Sequence, residues 1–226
     1  MWTDGLTPQE WQAIWLSVRV AFWATAVSVP VALGVAFTLE RGRFWGRGVL
    51  AAVIYAPLVL PPVVTGYLLL VSFGPQGPVG SALAQFGLSL AFTPAGAALA
   101  AAVMGFPLIV RSIQLSLSHV DCGLEDAART MGASPVRVFW HVTLPLIRPG
   151  VAAGAILGWA KAMGEFGATI TFVSNIPGQT QTIASAIYAL FQVPGQDAAV
   201  FRLIIVSAAL SLGAIALSEI LARRRP

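Results

Sequence analysis

Charge is scarce in this chain of 226 residues: Asp, Glu, Lys and Arg together make 10% of it, against 57% hydrophobic residues. Soluble domains carry about 25% charged residues, so an ordinary water-soluble fold is excluded and an integral membrane protein is expected. Cysteine is scarcer still. Cys122 stands alone, which excludes an intrachain disulfide, and with only two histidines beside it no metal cluster is expected. Lysine occurs once, at Lys161, preceded by Ala160 rather than glycine. The chain therefore has no GxxxxGKS/T phosphate loop, and any hydrolysis of ATP must happen in another subunit. The opening residues Met1-Trp2-Thr3-Asp4 place no basic stretch before an apolar core, so a cleavable signal peptide is not expected.

What the chain does have is long uncharged runs. Arg19 and Glu40 bracket residues 20–39, and twenty residues at about 1.5 Å each span roughly 30 Å, one bilayer core. Residues 8–18, with Trp11 and Trp15, read as an amphipathic lead-in through the interface. No charge occurs from Gly48 to Val110, a stretch that must hold two spans and a turn. The turn is marked by Gly74-Pro75-Gln76-Gly77-Pro78 and by Thr93-Pro94. The pattern predicts helices over 49–73 and 94–118, with a short interfacial piece at 83–90 between them. Two further spans are predicted at 151–173 and 201–222, and between them a short re-entrant or interfacial helix at 183–191. The result is an all-α membrane protein with five transmembrane helices in one domain, residues 1–226.

Nine of the thirteen basic residues fall in three places: Arg41, Arg43 and Arg47; Arg129, Arg137 and Arg148; Arg223, Arg224 and Arg225. Five spans put all three on one side, where four or six would split them. By the positive-inside rule that side is the cytoplasm, so the N-terminus faces out and the C-terminus faces in. The net charge of +4 reads as this bias rather than as affinity for nucleic acid.

One long interruption mixes both charge signs: DCGLEDAARTMGASPVRVFWHVTLPLIRPG at 121–150. Glu125 and Asp126 suit a helix N-terminus, Ala127 and Ala128 give a small-residue face, and Gly132 permits a C-cap. Ser134-Pro135 restarts a helix, Leu144-Pro145 is expected to end it, and Pro149 to open the next span. Taken residue by residue, this is also what an amphipathic linker on a membrane surface looks like. Together, Asp126-Ala127-Ala128, Gly132 and Val142-x-Leu144-Pro145 resemble the EAA loop of ABC importer permeases. Asp126 stands where that family most often has glutamate, which keeps the charge and shortens the reach.

Two more runs narrow the resemblance. YAPLVLPPVVTG at 55–66 and GEFGATITFVSNIPG at 164–178 resemble signatures of molybdate ABC importer permeases, and the order of spans is similar along nearly the whole chain. Sulfate and thiosulfate permeases are similar around the loop and Gly164-Glu165, and tend to be longer. The resemblance implies a type I importer permease fold and a non-enzymatic transport subunit with no cofactor of its own. It implies as partners a second copy of the chain, two ABC ATPase subunits that bind ATP and Mg, an extracytoplasmic oxyanion-binding protein, and membrane lipid. It also implies that Glu125, Asp126, Ala127, Ala128, Gly132, Leu144 and Pro145 form the surface that couples to the ATPase.

Candidate pathway residues follow from cost. Pro57, Pro61 and Pro62 remove backbone donors inside a predicted span, so that segment should face protein or water; a plain kink is the other reading. Arg19, Arg111, Lys161 and Glu165 are ionisable groups at membrane depth, which face a bundle interior or a wet cavity. Lys161 and Glu165 are four apart and can pair, while Arg111 and Lys161 come out at similar depth, counted from the cytoplasmic ends. They either fix helix packing or touch an oxyanion. Asn175, Gly178, Thr180 and Thr182 either line an outer gate, meet the binding protein or are solvated loop residues. Gly34, Gly154, Gly158 and Gly213 should allow close helix packing. A secondary transporter would show a repeat in matching halves, and none is visible. An intramembrane enzyme would need a nucleophile or metal set at depth, yet His119 and His141 both lie outside the spans.

Overall fold

The computed structural model describes residues 5–223; residues 1–4 and 224–226, with Arg224 and Arg225 of the last basic cluster, lie outside the described residues. The regular structure is helical throughout: α1 (Pro8–Arg41), α2 (Arg47–Val59), α3 (Pro62–Phe73), α4 (Pro78–Ala84), α5 (Pro94–Ser118), α6 (Cys122–Thr130), α7 (Pro135–Met163), α8 (Gly167–Val173), α9 (Ile183–Phe191) and α10 (Asp197–Arg223). Helices α1, α5, α7 and α10 are each long and apolar enough to cross a membrane, and α2 with α3 forms a bent fifth.

α1 starts at a capping box. The Thr7 hydroxyl accepts from the Glu10 N–H, and the Glu10 carboxylate accepts from the Thr7 N–H. Its 34 residues make about 51 Å, well beyond one bilayer core, so the first turns stand in the interface with Trp11 and Trp15 exposed. Glu10 itself is buried against Arg202 of α10, Nη2 to Oε1 2.7 Å, which ties the first helix to the last at this end.

The second span is not a kinked helix over 49–73. It breaks at Leu60-Pro61, and its halves diverge by 117°. Two consecutive prolines delete two adjacent donors and set two rings against the preceding turn, at about 3 kcal/mol or more for each proline kept inside a helix, so the chain leaves the helix instead. The halves settle in different places. Leu50, Ala51, Ile54 and Tyr55 of α2 pack on a core of Leu39, Ile109, Val110, Ile113, Leu117 and Ile147. Leu69, Leu70 and Phe73 of α3 join a second core of Ala21, Ala97, Ala100, Met104, Met163 and Phe172. Because α1, α5 and α7 run through both cores, α2 and α3 belong to opposite membrane halves, and the pair is a broken span.

The fourth span also differs from expectation. α7 begins at Pro135, runs through Leu144-Pro145 and Pro149, and stops at Met163. The passage past Pro145 is a π-helical turn, Phe139–Thr143, in which the Leu144 N–H bonds the Phe139 carbonyl five residues back. The wider turn accommodates a ring that would otherwise press on the carbonyl at 141. At the far end Gly164 caps α7, and α8 begins separately, so 151–173 is one helix end plus a short second helix. The interfacial piece at 83–90 lies instead at Pro78–Ala84, with a turn at Gly87. α5 and α9 occupy the predicted 94–118 and 183–191.

α5 and α7 cross on glycine. A Cβ at Gly150 would meet Ser116 Oγ at 1.8 Å, and one at Gly158 would meet Ile109 Cγ1 at 2.6 Å. Gly154 shares this seat, whereas Gly34 and Gly213 face open space and pack nothing closely.

Candidate functional site

Three groups of candidate residues take shape, beginning with the mixed-charge loop. Asp121 caps α6 by accepting from the Gly123 N–H at 2.8 Å. The helix ends at Gly132, φ +86°, where the Ala133 N–H returns to the Ala128 carbonyl; a left-handed residue here favours glycine. Ser134 then caps α7 through the Arg137 N–H. The two acids of the loop face opposite ways. Asp126 is exposed and pairs with Arg129 at 2.8 Å, whereas Glu125 is turned inward and 4% exposed. Ala127 is exposed and Ala128 half-buried, and Leu124, Met131, Val136 and Trp140 add exposed apolar surface around them. Leu144 and Pro145 lie half-buried within α7 and do not form the end of a loop.

Glu125 is the centre of a cluster joining three elements. Its Oε1 accepts from the Thr143 hydroxyl at 2.7 Å and lies 3.6 Å from Arg41 Nη2 at the end of α1. Its Oε2 is 3.9 Å from Arg129. Arg41 also donates to the Val120 carbonyl at 3.3 Å and to Cys122 Sγ at 2.6 Å. His119 and His141 each bond a carbonyl of their own helix, at Leu115 and Arg137.

The second group joins the two signature runs. A Cβ at Gly66 would sit 2.5 Å from the Ala168 carbonyl oxygen, and one at Gly167 would sit 2.7 Å from Pro62 Cβ. Residues about a hundred positions apart thus pack α3 on α8 at glycines, whose missing side chains make room for the facing backbone at Ala168 and the Pro62 ring. Pro61 and Pro62 are exposed at the break. Beneath α8, Glu165 is 3% exposed, pairs with Lys161 at 2.7 Å and accepts from the Ala168 N–H at 3.0 Å. The pairing of Lys161 with Glu165 matches the i, i+4 reading. Arg111 is not part of it: it is exposed and faces the Tyr55 hydroxyl, which donates to Gln114 Oε1. Nor do the two cations share a depth. Gly105 meets Gly158 where α5 and α7 cross. From that crossing Arg111 lies about 9 Å one way and Lys161 about 4.5 Å the other, at 1.5 Å per residue. Arg19 is exposed and lines a groove of about 610 Å³ between α1 and α5.

The third group lies after α8. Thr180 is fully buried, so it is no solvated loop residue. Its hydroxyl accepts from the Ile176 N–H at 3.0 Å and donates to the Val173 carbonyl at 3.1 Å, tying the loop into a closed turn. Thr182 is buried as the N-cap of α9. Ser174 has φ +64°, a strained conformation for a non-glycine residue, and Asn175 keeps a buried Oδ1 without a partner. Sequence reasoning missed the Glu10–Arg202 tie, although the Thr-x-x-Glu spacing at 7–10 was readable. It also missed Arg41 as part of the loop, for which no local pattern gives a signal.

The chain matches the family described as binding-protein-dependent transport system inner membrane component over residues 28–225. The molybdenum transport system permease protein ModB of Escherichia coli strain K12 is 53% identical over 219 residues, 96% of each chain. The corresponding protein of Haemophilus influenzae is 52% identical over 216 residues, 95% of this chain and 94% of that one. In three dimensions the chain is similar to a subunit of a bacterial alginate ABC transporter crystallised with an alginate pentasaccharide-bound periplasmic protein. The TM-score is 0.75 over 96% of this chain and 80% of that one; at 16% identity it bears on the fold alone.

Proposed function

The chain belongs to the binding-protein-dependent transport system inner membrane components, and we propose that it is the membrane-spanning subunit of an ATP-driven importer of molybdate. The observation that carries this reading is the 53% identity to a molybdenum transport permease across 96% of both chains. In this reading two copies form the pathway. A periplasmic oxyanion-binding protein delivers the anion from outside, and two ATPase subunits dock on the α6 surface inside.

The geometry supports the arrangement. Arg41, Arg129 and the start of α7 gather at one end of the bundle with Arg43, Arg47 and Arg137 nearby in sequence, which the positive-inside rule assigns to the cytoplasm. At the other end Arg202, in the first turns of α10, is neutralised by Glu10. Exposed Asp126, Ala127, Met131 and Val136 offer one acid with small and apolar groups, a composition that suits docking to an ATPase. The broken second span frees backbone polar groups at mid-membrane, where only protein or water can satisfy them, so it faces the pathway or the second copy.

The test is reconstitution with the cognate ATPase and binding protein. Expected is ATP-dependent molybdate accumulation in proteoliposomes, competed by tungstate and indifferent to excess sulfate. Uptake of sulfate with no competition by molybdate would assign the chain to the sulfate branch, and uptake without the ATPase would overturn the coupled mechanism.

A further inference from the structure

Glu125 does not behave as a surface residue of the docking loop. It is buried, and its two oxygens are shared among groups from three separate elements: Arg41 at the end of α1, Arg129 of its own helix, and Thr143 at the last position of the π turn in α7. A buried carboxylate held by two guanidinium groups and a hydroxyl is costly to break from one side, because Glu125, 4% exposed, then remains charged and away from water, whereas Arg129 still reaches solvent. Each partner is also placed where movement would matter. Arg41 grips the Val120 carbonyl and Cys122 as well, so it fastens α1 to the first turn of α6. Thr143 sits where the helical ladder of α7 changes its step, a place where a helix can lengthen or shorten by one hydrogen bond without unwinding. Arg41 Nε is buried without a partner, so this arrangement holds the guanidinium short of its full bonding capacity.

We infer that Glu125 is a positioning residue that passes displacement of α6 at once to α1 and to the π turn of α7, with Arg41 and Thr143 as its two outputs. The inference rests on the proposed docking of an ATPase on α6, and it assigns to Glu125 a role distinct from docking. Asp126 and the alanines meet the partner, while Glu125 connects what they feel to the membrane helices. Loss of Glu125 should therefore leave the complex assembled and reduce the anion moved per ATP hydrolysed.

The experiment is proteoliposome transport with the full complex, reading both molybdate uptake and phosphate release, on wild type, Glu125→Gln, Thr143→Val, Arg41→Glu and the exchange Arg41→Glu/Glu125→Arg. Expected is a roughly tenfold fall in uptake per ATP for Glu125→Gln, a fall of about threefold for Thr143→Val, and partial recovery for the exchange relative to Arg41→Glu alone. A merely structural cluster would lower thermal stability and the amount of active complex while leaving that ratio at the wild-type value, and this result would overturn the inference. Thr143→Val nearly preserves shape and leaves the ion pairs intact, so it decides the matter if Glu125→Gln does not assemble: a wild-type ratio then counts against the role. Failure of the wild-type chain to hold any ATPase is a different outcome, which removes the docking reading itself.

Discussion

Lys161 and Glu165 form a pair whose two members differ in access to water. The Lys161 side chain is 33% exposed and Glu165 only 2%, so removing one is not equivalent to removing the other. Lys161→Met strands a buried carboxylate and is expected to cost about 3 kcal/mol, whereas Glu165→Gln leaves an ammonium that reaches water and keeps an acceptor for Ala168, costing nearer 1 kcal/mol. The double variant should recover most of the stability in thermal unfolding in detergent. It also separates packing from contact with the anion: if the pair only fixes the helices, the double variant transports, and if Lys161 meets the oxyanion, it does not. A second prediction concerns Gly66. A leucine there drives into the Ala168 carbonyl and should abolish stable expression, while Gly34→Leu, in open space, should leave expression and uptake unchanged. The lysine–glutamate contact was legible because four residues on a helix fix direction. Thr180 was not, because its hydroxyl is tied to backbone groups at Ile176 and Val173, four and seven residues back, and a threonine in a Gly- and Gln-rich run looks like any solvated loop residue.

Elements were legible where their ends carry their own chemistry. Thr93-Pro94 marks a boundary, and α5 begins there with Thr93 as its cap; the apolar strip 183–191 announces α9, whose cap, Thr182, reads in sequence as a gate or loop residue. The start of α7 was equally visible in Ser134-Pro135, but its course was not. Pro145 reads as a stop and Pro149 as the opening of a new span, and the π turn that carries the helix past Pro145 has no signature of its own. Its true end at Gly164 has no proline to mark it. The same limit explains the second span: prolines at 57, 61 and 62 indicated a disturbance, but not that Pro57 stays inside α2 while the next two divide the span. At this scale the testable element is the α6 cap. Leucine at Gly132, φ +86°, is forced into a left-handed conformation at roughly 1–2 kcal/mol, so α6 should lose its end and transport should fail with membrane insertion intact. Asparagine tolerates that conformation, and Gly132→Asn should retain most uptake; equal loss in both variants would point away from backbone geometry.

At the scale of the molecule, ion pairs mark the two ends of the bundle, and Lys161–Glu165 lies between them. Glu10 with Arg202 closes the bundle at one end, and Arg41, Glu125 and Arg129 close it at the other, with the glycine crossing of α5 and α7 between. Cys122, the single cysteine and exposed, reports which end faces the cytoplasm. A membrane-impermeant maleimide should label it in inside-out vesicles and not in intact spheroplasts, with labelling falling when the ATPase is bound. The reverse pattern would invert the assigned topology. The broken second span, finally, has a bearing on how the chain is made. Neither half, at 13 and 12 residues, is long enough to bridge a bilayer core alone. The backbone seat that α3 needs on α8 is synthesised about a hundred residues later, a wait of roughly 5 to 20 seconds at ordinary rates of translation. Through that interval the insertion machinery must shelter an unfinished, bent segment from lipid. A slow step in the biogenesis of this protein therefore belongs at the emergence of Gly167 and Ala168, well after the second span itself has left the ribosome.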